Sequence, residues 1–153
     1  MKNITLDGNA LRLMAAHLPE SVQQMAEIVG WEATASLIAR FGGSCFPVPR
    51  GLRPGGDERL SLLLEVLTPA QMQRFMHTFG GESSFVIPKC DHARREWRNR
   101  LFIRDLQAAI TAGESRRMAL SYLCPRYGIG NTSAWKIIRE YGLSGGDKRE
   151  SLH

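Results

Sequence analysis

The sequence has little of the material from which disulfide frameworks, zinc modules and membrane spans are built. Its 153 residues include three cysteines, Cys45, Cys90 and Cys124, which lie far apart and form no CxxC pair. Neither a zinc module nor a disulfide framework is therefore predicted. No window approaches about 18 consecutive apolar residues, and the first residues do not combine a basic stretch with an apolar one. We expect a cytoplasmic protein that is neither exported nor embedded in a membrane.

Recognisable catalytic signatures are also missing. The glycine pairs Gly42-Gly43 and Gly55-Gly56 do not have the GxxxxGK[ST] or GxGxxG spacing of phosphate and dinucleotide loops. The cluster Cys90-Asp91-His92 has no second ligand pair, so we interpret it as structural. His17 and His77 stand alone in the sequence. We predict no catalytic residue, metal or cofactor, and hence a protein that is not an enzyme.

The charge is divided unevenly along the chain. The whole sequence carries 20 Lys+Arg and 15 Asp+Glu. Residues 1–88 hold 7 basic and 8 acidic residues, a net charge of −1, whereas residues 89–153 hold 13 and 7, a net charge of +6. The excess positive charge thus belongs to the second part, which favours a polyanionic partner there.

An internal repeat organises the first part. The motif Phe41-Gly42-Gly43, a short apolar run and Pro49-Arg50 recurs 38 residues later as Phe79-Gly80-Gly81, an apolar run and Pro88-Lys89. Each copy follows a helical pattern, so we predict two units of helix, glycine stop, short strand and proline stop. One glycine of each pair should be left-handed.

The two predicted strands need partners, because isolated two-stranded pieces are barely stable. They should pair with each other or with a second chain, which makes residues 1–88 an assembly region. The residues that we expect to form the interface strands are Phe46, Val48, Phe85, Val86 and Ile87.

The rest of the pattern predicts a mainly α-helical chain. Further helices are expected at residues 58–67, after the cap Thr68-Pro69, and at residues 92–112 after Asp91. Residues 1–18 form either another helix or a mobile arm. Residues 89–143 are predicted to be a DNA-binding region, and residues 144–153 a flexible tail.

Residues 115–142 have the order expected of a helix-turn-helix. Ser115 caps the first helix, a glycine turn at residues 127–130 follows, and Asn131 is expected to cap a last helix that Gly142 ends. Ala134, Ile137 and Ile138 should face inward. The predicted DNA contacts are Asn131, Thr132, Ser133, Trp135, Lys136 and Arg139, with Arg94 and Arg98 from the preceding basic helix. Trp135 fits either a base contact or a packed aromatic.

The order of these parts resembles the Mor transcription activator family of phages. The resemblance is carried by Phe79-Gly80-Gly81 with residues 86–89, by the first copy of the repeat, and by Tyr127-Gly128-Ile129 with Lys136-Ile137-Ile138. It implies a homodimer in the bacterial cytoplasm that binds double-stranded promoter DNA through helix-turn-helix units and recruits the host RNA polymerase.

A second interpretation remains open. Pro125 removes a backbone donor near the end of the first helix of the motif. The spacing from Gly113 to Gly128 is also longer than the resemblance to the Mor family implies. The same fold could instead serve a phage-encoded factor that engages a host protein or a ribonucleoprotein complex.

Overall fold

The part of the chain that the structure describes is mainly α-helical with two short strands, as predicted, and the strands form a small sheet. The computed structural model describes residues 4–51 and 56–142. In chain order, its elements are α1 (Gly8–Leu13), a 3₁₀ turn (Ala15–His17), α2 (Glu20–Val29), α3 (Trp31–Phe41), β1 (Cys45–Val48), α4 (Leu60–Leu63), α5 (Pro69–Phe79), β2 (Glu82–Val86), α6 (Asp91–Thr111), α7 (Arg116–Tyr127) and α8 (Asn131–Glu140).

The chain divides into two compact units. The N-terminal unit is Thr5–Arg94, and the C-terminal unit begins at Arg95 and also takes in Ile4. The change therefore falls inside α6, later than the boundary expected after residue 88. The expected tail at residues 144–153 lies outside the described residues. Within the described ranges, no helix is both long enough and apolar enough to cross a membrane.

Local signals explain where several helices begin. Asp7 caps α1 by accepting a 2.8 Å hydrogen bond from the Ala10 amide. Within residues 4–18, the structure therefore has the short helix α1 followed by a 3₁₀ turn. Thr68 and Gln71 form a capping box at the start of α5, with Pro69 in its first turn. The cap at Thr68 therefore lies where the sequence predicted it.

The helix predicted at residues 58–67 is much shorter in the structure, so its predicted length is wrong. Only α4, Leu60–Leu63, is α-helical. Tighter turns flank it, with bonds from the Glu65 amide to the Leu62 carbonyl at 3.1 Å and from Val66 to Leu63 at 3.0 Å. With these tighter turns, Leu60, Leu63 and Leu67 are still buried in the core. The segment therefore buries its apolar side chains without forming a longer helix.

The two copies of the repeat pair with each other within one chain. β1 and β2 are antiparallel, with Phe46 opposite Phe85. The contacts are reciprocal: the Gly43 amide donates to the Ile87 carbonyl at 2.6 Å, and the Gly81 amide donates to the Val48 carbonyl at 2.7 Å. In each pair the second glycine is the left-handed one, with φ of 92° and 99°.

This pairing changes the expected role of the strand residues. Phe46, Val48, Phe85 and Ile87 are buried in the core of the N-terminal unit, whereas Val86 is 53% exposed. The structure thus shows the first of the two expected pairings, that of the strands with each other, and the four buried side chains contribute to the core of the N-terminal unit instead of the expected dimer interface. Homodimerisation itself stays a prediction.

The C-terminal unit is built from the later part of α6 with α7 and α8. One apolar cluster joins these helices, and its fully buried members include Phe102, Leu106, Ala119, Ala134 and Ile138. Ile129, in the turn between α7 and α8, is buried in the same cluster. The turn is thus part of the core, which fixes how the last two helices meet.

Candidate nucleic-acid interface

α7, a three-residue turn and α8 form a helix-turn-helix. The Ser115 hydroxyl caps α7 by accepting a 3.1 Å bond from the Met118 amide. Gly128 ends α7 in the left-handed conformation, and the Ile129 amide donates back to the Cys124 carbonyl at 2.9 Å. This is the Schellman arrangement, which reverses the chain within a short turn. α7 continues through Pro125 to Tyr127, so the proline does not end the helix early.

The start of α8 differs by one residue from the expectation. Gly130, not Asn131, is the N-cap, and no side chain caps this end. The Gly130 carbonyl accepts the first helical bond, from the Ala134 amide at 2.9 Å. Asn131 is therefore a first-turn residue with an exposed side chain. Likewise, Asp91 is the first residue of α6, which ends at Thr111.

α8 has two distinct faces. Ala134, Ile137 and Ile138 are buried, as predicted. Thr132, Lys136 and Arg139 lie at the middle of the opposite face and are exposed. Asn131 and Ser133, at the edges of that face, are also exposed. Hydroxyl, amide and cationic donors therefore share one solvent-facing surface, which we call the α8 face.

Trp135 is half-buried and does not belong wholly to the α8 face. It packs against the core of the C-terminal unit, and the Arg116 guanidinium lies over its ring, 5.5 Å from the centroid. A cation over an aromatic face stabilises both groups. The geometry thus favours the packed-aromatic interpretation of Trp135.

Arg116 and Arg117 are two further cations of the helix-turn-helix that are not among the contacts predicted from the sequence. They are the first two residues of α7, directly after its cap. Cations at a helix N-terminus are disfavoured by the helix dipole, so two arginines there are a signal that could have been recognised. Arg117 is exposed and lines a cleft between α7 and α8 together with Asn131 and Trp135.

Arg94 and Arg98 are less available than expected. Arg94 belongs to the N-terminal unit, and its guanidinium bonds to Asp91 at 2.6 Å and to the Lys89 carbonyl at 3.1 Å. Arg98 is half-buried and bonds to Asn99 at 2.9 Å. Burial, with the nearby charge of Arg95, lowers the pKa of Arg98. The structure therefore places Arg94 outside the unit that carries the α8 face.

Charge is concentrated in the C-terminal unit. Residues 95–142 contain 9 Lys+Arg and 4 Asp+Glu, a net charge of +5. One of the four carboxylates, Asp105, accepts hydrogen bonds from the Tyr127 hydroxyl and from Arg104, the latter at 2.9 Å. Partial burial opposes its ionisation, but the bonds from Tyr127 and Arg104 outweigh burial and lower the pKa of Asp105.

We expect Asp105→Asn to lower the free energy of unfolding by about 1–2 kcal/mol at pH 7, because bonds to a charged acceptor are lost. A carboxyl with a depressed pKa in the folded state stabilises above its unfolded pKa, and that stability is lost as the pH falls through the folded pKa. The difference between variant and wild type should therefore shrink below about pH 4. Urea denaturation at a series of pH values measures the stability difference between Asp105→Asn and the wild type. A difference that does not vary with pH would contradict the stabilising role of the ionised Asp105 carboxylate.

Two histidines that are distant in the sequence, His17 and His92, lie side by side in the structure. Nδ1 of His17 lies 3.2 Å from Nε2 of His92 in the N-terminal unit. The neighbouring Cys90 thiol is buried, and burial raises its pKa to about 11. Among the described residues, no group of three or more His, Cys, Asp or Glu side chains is placed to hold a metal ion. This cluster thus has neither a thiolate nucleophile nor a full metal ligand set.

Comparisons with protein-family models, with curated proteins and with solved structures find no match. What supports a function is therefore the geometry and charge of the C-terminal unit.

Proposed function

We propose that this chain is a DNA-binding transcriptional regulator of the helix-turn-helix class. The observation that carries the proposal is the α8 face, on which Thr132, Lys136 and Arg139 are exposed while the opposite face of the same helix is buried in the core. In helix-turn-helix proteins, the second helix lies in the major groove with its polar face against the bases.

The residues of the α8 face suit that task chemically. The cations of Lys136 and Arg139 pair with phosphates or with the O6 and N7 atoms of guanine. Thr132, Ser133 and Asn131 can bond to bases or to the sugar-phosphate backbone. The net charge of +5 in residues 95–142 attracts the duplex before any specific contact forms.

The wider role follows from the resemblance to the Mor family. We propose that the protein is a phage-type activator that binds promoter DNA and contacts RNA polymerase in the bacterial cytoplasm. The described residues hold one helix-turn-helix, and such units usually read two half-sites as dimers. A homodimer is therefore part of the proposal, with the interface outside the buried strand residues.

The test is to replace Lys136 and Arg139 together by alanine. A duplex selected from a random pool by the wild-type protein serves as the ligand, and fluorescence anisotropy gives the Kd over a range of salt concentrations. We expect at least about thirtyfold weaker binding at 0.1 M salt, since each of the two contacts contributes about 1–3 kcal/mol. The slope of log K against log salt should decrease by about 2.

The matched control is Arg12→Ala with Arg40→Ala, which removes two positive charges from exposed positions of the N-terminal unit. It should bind DNA like the wild type. Equal losses in both double variants would mean that only net charge matters. Weak, sequence-indifferent binding by the wild-type protein would overturn the proposal and favour a protein-binding factor on the same fold.

A further inference from the structure

The cleft between α7 and α8 combines an apolar lining from Leu120, Cys124 and Pro125 with polar groups that suit an anion. Its volume is about 520 Å³, and its polar lining residues are Arg117, Ser121, Asn131 and Trp135. None of the lining residues that the structure describes carries a negative charge. Arg117 carries five N–H donors and Asn131 two. The cleft therefore offers donors from both helices and a positive charge from α7.

The walls of the cleft are held in place by packing. Trp135 is fixed between the core of the C-terminal unit and the Arg116 guanidinium. The Ser121 hydroxyl already donates to the Met118 carbonyl at 2.6 Å, so Ser121 is not the donor that would meet an anion. Arg117 and Asn131 are both exposed. These two side chains can converge on one ligand without opening the fold.

We propose that this cleft seats one backbone phosphate of the bound duplex, with Arg117 and Asn131 as its donors. The inference rests on the proposed function and adds to it a contact in which Arg117 of α7 joins Asn131 at the edge of the α8 face. The guanidinium fork of arginine matches the oxygens of a phosphate. Phosphate contacts fix the register and orientation of a protein on DNA, but they carry no sequence information.

The distinction between the two surfaces gives a test. Arg117→Ala should weaken binding roughly tenfold, the usual loss for one hydrogen-bonded phosphate contact. The loss should be the same for the selected duplex and for a scrambled one, and the salt slope should fall by about 1. Asn131→Ala should produce a smaller loss of the same kind, without a change in the salt slope, because no charge is removed.

Arg126→Ala is the matched control. It removes the same charge from the same helix, but Arg126 lies over the Tyr122 ring, 5.4 Å from its centroid, and does not line the cleft. Thermal unfolding of all three variants separates a lost contact from a lost fold. If Arg117→Ala and Arg126→Ala weaken binding equally, the phosphate subsite is wrong.

Uncharged methylphosphonate linkages, introduced one at a time in the selected duplex, identify the phosphate. One position should weaken wild-type binding but have little further effect on Arg117→Ala. If no linkage shows this coupling, the subsite is wrong even where DNA binding stands, and a cleft for a free anion becomes the alternative. If instead the wild-type protein shows no salt-dependent duplex binding at all, it is the proposed function that fails.

Discussion

Phe102→Ala is expected to lower the free energy of unfolding of the C-terminal unit by about 3–5 kcal/mol. Phe102 is 0% exposed, and its ring meets the Tyr127 ring edge-to-face, with centroids 6.0 Å apart and planes at 82°. Removing the ring leaves a cavity between α6 and α7 and takes away the packing that holds Tyr127 against Asp105. Urea denaturation followed by tryptophan fluorescence measures the loss.

Gln107→Ala is the control for this substitution, since Gln107 is an exposed residue of the same helix. Exposed positions without special contacts usually change stability by less than about 0.5 kcal/mol. Because the same core supports the buried face of α8, Phe102→Ala should also abolish duplex binding at temperatures where the C-terminal unit has melted. Equal stability of the two variants would show that burial of the Phe102 ring does not stabilise the C-terminal unit.

The helix-turn-helix could be predicted because its signals are local. Ser115, Gly128 and the buried triad of α8 each act within a few residues, through capping and helical periodicity. The start of α8 shows the limit of such signals. Gly130 and Asn131 are both acceptable N-caps, and Gly130 takes the role because its backbone is extended, with φ −71° and ψ 159°. Sequence preference alone does not decide between two adjacent caps.

The contacts between distant residues could not be predicted in the same way. The Arg116–Trp135 stack and the His17–His92 pair join residues on different elements, and nothing local in the sequence specifies either. The buried state of Phe46 and Phe85 depends on which strand each one meets. A strand that pairs within its own chain and a strand that pairs across a dimer have the same local pattern. Local sequence patterns therefore leave the choice between the two pairings undecided.

The repeat is intermediate between these cases. Its double glycines predicted a left-handed residue at each helix end, and Gly43 and Gly81 take that conformation. The first glycine of each pair has a role that depends on the distant copy of the repeat. A Cβ atom on Gly42 would lie 3.2 Å from the Pro88 carbonyl oxygen, and one on Gly80 would lie 3.1 Å from the Pro49 carbonyl oxygen. The first glycine of each copy therefore leaves room for the proline carbonyl that follows the strand of the other copy.

Gly80→Ala is accordingly expected to lower the free energy of unfolding of the N-terminal unit by at least about 3 kcal/mol, at the high end for overpacking. The new methyl would lie 2.2 Å from the Met76 carbonyl oxygen and 3.1 Å from the Arg50 Cα atom. These are backbone atoms, so neither can turn away as the end of a side chain could. Gly42→Ala, with its closest contact at 2.7 Å from the Ile38 carbonyl oxygen, should produce a smaller loss.

Gly51→Ala completes the series, because a Cβ atom there meets nothing within 4 Å. The expected order of destabilisation in urea denaturation is Gly80, then Gly42, then Gly51. An equal effect at all three positions would contradict the close approach of backbone atoms to Gly80 and Gly42. The same measurement separates the two kinds of strand pairing. If β1 and β2 pair within one chain, the loss at Gly80 is independent of protein concentration. If the strands exchange between two chains, the loss at Gly80 itself changes with protein concentration, because association then contributes to the pairing of β1 with β2.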